Sequence, residues 1–241
     1  MPQLVYIPIK AILFDFDGTL VDTKSFYFGK LAQYLKADPN EAIRLADEIT
    51  FSKLSHKERN VKWHIVRTMY KVARALGYSR LLSSRATTFV GRNHTKLFSD
   101  AKPTTDALAA LKRLHGSNMK LAIISYTSRK KIKMFLDTYL KGTKYFSEDN
   151  ILAAGEYDKH KEAGIVHFMR KFNLTQTPRS CAIIGDLGGD TIAGKNIGIT
   201  TFALTTGFST YDILEKNKPD AIYDTLLEME KSVHLFLAEE K

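Results

Sequence analysis

The sequence predicts an α/β protein, a doubly wound parallel sheet with an inserted all-helical segment. Two observations carry this prediction. From residue 101 onward, short apolar runs alternate with amphipathic segments, the rhythm of βαβ units with helices on both faces of a sheet. From about Thr23 to Phe98 the pattern is helical throughout, with no convincing strand. The expected core is therefore residues 1–21 and 101–241, and the expected helical domain is residues 22–100.

Each element has its own signal. Residues 4–16 read as a strand that ends in two aspartates. Phe26, Leu31 and Leu35 share a helical face, as do Ala42, Leu45 and Ile49 after the break "ADPN". Val61, Ile65, Met69, Val72 and Leu76 recur at spacings of three and four, and Gly77 closes that helix. Trp63 and Met69 read as core. "TTDALAALKRLHG" is a helix capped by Thr104 or Thr105. "KLAIIS" is a strand, and "SRKKIKMFLDTYL" is a helix capped by Thr127 or Ser128. "ILAAG" is a strand, "KEAGIVHFMRKFNL" a helix and "SCAIIGD" a strand. "DTIAGKNIG" is a helix, "TTFALTTG" a strand, "DAIYD" an edge strand, and the C-terminal "LLEMEKSVHLFLAEEK" a helix covering the sheet.

The 241 residues suffice for one large domain or a core with an insert. Hydrophobic content of 44% and charged content of 26% are those of a soluble globular protein. "MPQLVYIPIK" lacks the basic start and long apolar run of a secretory signal. No run approaches the ~18 to 20 apolar residues of a membrane span. The single cysteine, Cys181, lies in the apolar "CAII" and reads as core. These features point to the cytoplasm and to no membrane partner. They leave the oligomeric state, monomer or homodimer, open. The formal charge is +10, and residues 21–100 hold 15 Lys and Arg against 7 Asp and Glu. A basic surface attracts anions.

In open parallel sheets, ligands bind at the carboxyl ends of strands. "AILF" runs into Asp15-Phe16-Asp17-Gly18-Thr19, "LAII" into Ser125-Tyr126-Thr127, and "CAII" into Gly185-Asp186, with Asp190 four residues later. Lys159 and Lys161 stand before the intervening helix. Gly18, directly after the two aspartates, permits a bend of the chain there. Carboxylates gathered at one point repel each other unless a cation neutralises them. Hard oxygen donors suit Mg²⁺.

Asp15-Phe16-Asp17-Gly18-Thr19 resembles the DxDGT signature of the haloacid dehalogenase superfamily. Ser125 is similar to its second motif, and Asp186-Leu187-Gly188-Gly189-Asp190 to its GDxxxD fourth motif. The helical segment after the first motif resembles the family's C1-type cap. The resemblance implies a Rossmann-like core and gives each residue an expected role. Asp15 is the nucleophile, forming an aspartyl-phosphate. Asp17 is the general acid and then the base for water. Mg²⁺ is held by Asp15, the backbone carbonyl of Asp17 and Asp186, while Asp190 orients the lysine or a metal-bound water. Ser125 and the motif lysine bind phosphate, with the chain around Gly18, Thr19 and Tyr126. The third motif departs from the common Lys-Pro form, so Lys161 and Lys159 both stand as that lysine.

Asp17 argues for phosphoryl transfer, because release of halide needs no acid for an alkoxide. "DGTLVDT" with a helical cap resembles the phosphoglycolate phosphatase-like and β-phosphoglucomutase-like branch. That implies Mg²⁺-dependent hydrolysis of small phosphate monoesters: phosphoglycolate, a sugar phosphate or a nucleotide. A phosphomutase is the alternative. Lys24, Lys53, Lys57, Arg59 and Lys62 are candidates to meet a second anionic group. A reading of another class makes the basic cap a surface for nucleic acid or an acidic partner, with a small phosphorylated metabolite favoured over nucleic acid.

Overall fold

Ala11–Phe14 form β1, four apolar residues with no exposed surface. A strand covered on both faces must be apolar at every position, because either side meets a helical layer. Full burial of each such Leu or Ile stabilises the fold by about 1.5–3 kcal/mol. A computed structural model of the chain describes residues 8–50, 61–142, 144–157 and 160–238, with side chains described except at 50, 61–63 and 234–238.

In chain order β1 is followed by helices α1 (Thr23–Leu35), α2 (Pro39–Thr50), α3 (Val61–Ala75) and α4 (Arg80–Leu97). Then come α5 (Ala107–Gly116), β2 (Lys120–Ile124), α6 (Arg129–Leu140), β3 (Ile151–Leu152), α7 (Lys161–Lys171) and β4 (Cys181–Gly185). α8 (Gly188–Ile197), β5 (Thr200–Leu204), α9 (Tyr211–Lys216), β6 (Ala221–Tyr223) and α10 (Leu226–Ala238) complete the order. The short α9 is an element the periodicity did not reveal.

Among the described residues six strands pair in parallel, in the order β3-β2-β1-β4-β5-β6. This is the expected doubly wound sheet. β1 is central, and sequence order reverses between it and β4, where adjacent connections part and leave a crevice. Alternation along β1 serves both faces: Ile12 and Phe14 join one apolar cluster with Ile123 and Ile184, while Ala11 and Leu13 join another with Phe168 and Ile183. Cys181 is buried in the second cluster. No helix among the described residues is long and apolar enough to cross a membrane.

Helices α1–α4 build a third cluster around Phe28, Leu31, Met69, Val72 and Val90. Met69 is core there, as its spacing predicts; the side chain of Trp63 lies outside the described residues. The chain enters and leaves this helical segment side by side: Asp22 N–H donates to Lys102 O at 2.9 Å and Thr104 N–H to Leu20 O at 3.0 Å.

Two local expectations are corrected, and a third is settled between its two candidates. The first strand, expected over 4–16, covers Ala11–Phe14 among the described residues, because the backbone turns after Asp15. Thr104 does not cap α5; its hydroxyl donates to Thr19 O at 2.6 Å, and Asp106 occupies the cap position. Ser128 holds the cap position of α6 without a side-chain hydrogen bond, and Thr127 is used elsewhere.

Candidate active site

The β1 ladder carries one residue past the strand: Asp15 N–H donates to Ile184 O at 2.8 Å, which sets Asp15 beside the end of β4. The chain then folds back, with Leu20 N–H and Val21 N–H both donating to Phe16 O at 3.0 Å. Gly18 takes a φ of +78°, and a Cβ at this position would collide with Asp186.

Lys161, the first residue of α7, is buried and lies between two carboxylates. Its Nζ is 2.7 Å from Asp15 Oδ1 and 2.6 Å from Asp190 Oδ1. Asp190 is held in turn by Leu187 N–H, 3.4 Å from its Oδ2. Lys159 lies outside the described residues. Asp186 is fully buried: its Oδ2 accepts from Phe208 N–H at 2.7 Å, and its Oδ1 has no hydrogen-bond partner among the described residues. Oxygen atoms of Asp15, Asp186 and Asp190 lie within 4.8 Å of one another.

Burial dominates the electrostatics of this group. Desolvation pushes the Asp15 carboxyl up, Lys161 pulls it down, Asp190 adds repulsion, and it rests at about 7 instead of 3.8. Burial and then the charge of Asp15 hold Asp186 well above the carboxylate range. Burial disfavours the Lys161 ammonium, but Asp15 and Asp190 outweigh it and strengthen its hold on the proton. Among the described residues three buried carboxyl groups converge with a single ammonium, and the upward shifts of Asp15 and Asp186 reflect the cost of charging them there with no further cation. The unpartnered Asp186 Oδ1 and the all-oxygen donor set fit a hard divalent cation such as Mg²⁺.

Asp17 stands apart from this group. Its Oδ1 accepts from the Thr23 hydroxyl at 3.0 Å, and its Oδ2 accepts from the Thr127 hydroxyl. The resemblance gives Asp17 a place at the metal only through its backbone carbonyl, and its carboxylate is not among the three that converge. Ser125 is buried at the end of β2; its Oγ accepts from Thr127 N–H at 3.1 Å, and its carbonyl accepts from the Tyr157 hydroxyl at 3.0 Å. The Tyr126 ring is 53% exposed and lies 5.5 Å from Lys161 Nζ, a wall at the rim of the site. Thr19 is buried, and its Oγ1 has no hydrogen-bond partner among the described residues. Of the basic residues expected near the site, Lys24 pairs with Asp47 at 3.0 Å; Lys53, Lys57 and Arg59 and the side chain of Lys62 lie outside the described residues.

Several participants escaped the sequence reading. Thr23 and Thr127 hold Asp17, Thr206 donates to Gly18 O at 2.7 Å, and Phe208 holds Asp186 through its N–H. A signal for the last two exists: β5 reaches the same sheet edge as β1, β2 and β4, and it runs into Thr205-Thr206-Gly207. A Cβ on Gly207 would strike Asp186, so this loop approaches the carboxylate as closely as Gly18 does.

Comparison with known proteins gives this arrangement relatives. A candidate pyrophosphatase named PpaX, from Caldanaerobacter subterraneus, is 26% identical over 237 residues, covering 93% of this chain and 94% of its own. A phosphoglycolate phosphatase of Colwellia psychrerythraea is 25% identical over 233 residues, covering 91% and 95%. The crystal structure of a HAD family hydrolase from Deinococcus radiodurans, with bound phosphate and sodium, shares the fold with a TM-score of 0.68. It is 16% identical, over 95% of this chain and 96% of its own. A family model described as haloacid dehalogenase-like hydrolase matches residues 12–204. That span runs from the second residue of β1 to the last of β5 and takes in every strand that feeds the site, and the chain belongs to this family of hydrolases.

Proposed function

We propose that this chain is a Mg²⁺-dependent phosphatase that hydrolyses small phosphate monoesters through an aspartyl-phosphate on Asp15. The observation that carries the reading is the charge balance: among the described residues buried Asp15, Asp186 and Asp190 converge, one ammonium, Lys161, meets the first and the last, and Asp186 Oδ1 has no hydrogen-bond partner. The family match and the phosphatase names of the relatives support the same chemistry.

Asp15 and Asp186, with the Asp17 carbonyl, are the residues that would hold Mg²⁺. The ion would supply charge neutralisation, so that an anionic carboxylate can approach a phosphate. Asp15 Oδ attacks phosphorus, and the P–O bond to the alkoxide breaks. Asp17, oriented by Thr23 and Thr127, gives its proton to the departing oxygen. It then takes a proton from the water that attacks the acyl phosphate, which frees inorganic phosphate and restores Asp15. Lys161 stabilises charge on the transferring group while keeping Asp15 in line, and Asp190 fixes the lysine. Ser125 bonds a phosphate oxygen. We read residues 22–100 as a cap domain that closes over this site on the paired crossings at 20–22 and 102–104.

The test is phosphate release from p-nitrophenyl phosphate, phosphoglycolate, a sugar phosphate, a nucleoside monophosphate and pyrophosphate, with Mg²⁺ and with EDTA. Turnover that needs Mg²⁺ and is lost in Asp15→Asn supports the reading, and the panel ranks substrates. A folded wild type with no turnover on any member overturns it. Isomerisation of a sugar phosphate without release of phosphate would move the chain to the mutases.

A further inference from the structure

The apolar cluster of the helical segment does not stop at α1–α4. It takes in Phe208 and Ile213, which follow β5, and Leu187 packs against it. Leu187 immediately follows Asp186 in the chain, and Phe208 N–H donates to Asp186 Oδ2 at 2.7 Å. The Phe208 ring is buried in the same cluster as Phe28, Leu31, Met69 and Val90. The loop that carries it is pinned to the first motif by Thr206, whose hydroxyl donates to Gly18 O at 2.7 Å. Gly207 lies so close to Asp186 that no Cβ fits. One residue therefore has its ring in the core of the helical segment and its amide on a carboxylate of the site.

We infer that Phe208 is a positioning residue that couples seating of the helical segment to Mg²⁺ binding at Asp186. This rests on the reading of Asp186 as a metal ligand. With the ring seated, the amide holds Oδ2 and leaves Oδ1 free for the ion. With the helical segment lifted, the ring loses its apolar surroundings and the amide its fixed place, so the ligand is no longer oriented before the ion arrives. Partners that orient metal ligands in this way commonly change affinity about 10- to 100-fold when removed. Coupling is reciprocal, so Mg²⁺ must also favour the seated state.

The test is calorimetric titration of Mg²⁺ into the full chain, without substrate, for wild type, Phe208→Ala, Phe208→Leu and Val90→Ala. We expect Phe208→Ala to bind Mg²⁺ at least about tenfold more weakly and Phe208→Leu to stay near wild type. Val90→Ala, which thins the same cluster away from the amide, should lower Tm and leave Mg²⁺ affinity unchanged. In wild type, Mg²⁺ should slow amide hydrogen exchange in α3 and α4, a readout that remains if Phe208→Ala does not fold. Unchanged Mg²⁺ affinity in Phe208→Ala, equal weakening in Val90→Ala, or no slowing of exchange overturns the coupling alone. A wild type that takes up no Mg²⁺ overturns the metal reading as well.

Discussion

Thr127 donates its hydroxyl hydrogen to Asp17 Oδ2 across 110 residues of sequence, while Thr23 donates to Oδ1 of the same carboxylate. One donor sits just beyond β2 and the other is the first residue of α1, so Asp17 is aimed jointly by the sheet and by the helical segment. A carboxylate oriented on both oxygens keeps one direction through a proton transfer, whereas a free one samples several rotamers.

Thr127→Val keeps the shape and removes the donor. Hydrogen bonds to charged groups contribute about 1.5–3 kcal/mol, so kcat is expected to fall roughly tenfold to a hundredfold. On the proposed mechanism KM should change little, because there the contact orients the acid and does not bind substrate. Thr127→Ser should keep most of the rate. Steady-state kinetics on the best substrate of the panel checks this, and equal losses in the Val and Ser variants would contradict it.

In metal-free protein the pH dependence of stability follows from Asp15. Its folded value of about 7 lies above 3.8, so the folded chain holds this proton more tightly than the unfolded one. The stabilisation is complete below about 3.8 and is lost as pH rises through about 7. Asp186 is displaced in the same direction. In EDTA, Tm should therefore fall between about pH 5 and pH 8. Mg²⁺, which takes over from the bound proton, should raise Tm more at the higher pH. Thermal scans in matched buffers decide it; a gain that is larger in acid would reverse the sign of the argument.

Lys161→Ala removes the only ammonium that contacts Asp15 and Asp190 among the described residues. Breaking a buried pair from one side costs about 3–5 kcal/mol, because the carboxylates stay buried and uncompensated. Urea unfolding in EDTA at about pH 8, above the Asp15 value of about 7, should show that loss, and Mg²⁺ should recover part of it. A variant as stable as wild type in EDTA would mean that the carboxylates already hold protons and need no counter-ion.

Gly18→Ala combines two penalties. The residue sits at φ +78°, which costs a non-glycine residue about 1–2 kcal/mol, and its Cβ would meet Asp186. Gly189, by contrast, has open space where a Cβ would go. We expect Gly18→Ala to lower Tm and weaken Mg²⁺ binding together, and Gly189→Ala to lower neither appreciably. Calorimetry and thermal scans on the pair separate backbone strain from a general intolerance of this edge.

The architecture, and the arrival of several acidic residues at one sheet edge, were legible in the chain alone. β1, β2, β4 and β5 are short apolar runs because both their faces are covered, and that pattern is local. Asp15, Ser125 and Asp186 could be read because each stands at or just past the end of such a run, with Asp17 and Asp190 two and four residues beyond Asp15 and Asp186, and a parallel sheet sends all those ends to one edge. Only the folded chain shows that Lys161 meets Asp15 and Asp190, because the start of α7 sets where its Nζ reaches; Lys159 lies outside the described residues. The fold also decided that Thr127 serves Asp17 rather than α6, and that Phe208 ties Asp186 to the helical segment. A hydroxyl or an amide near a helix start has several short-range uses with nearly equal energies, so its partner is chosen by whatever the fold brings within about 3 Å. Here the partners come from 110 and 22 residues away, and no local pattern encodes that distance.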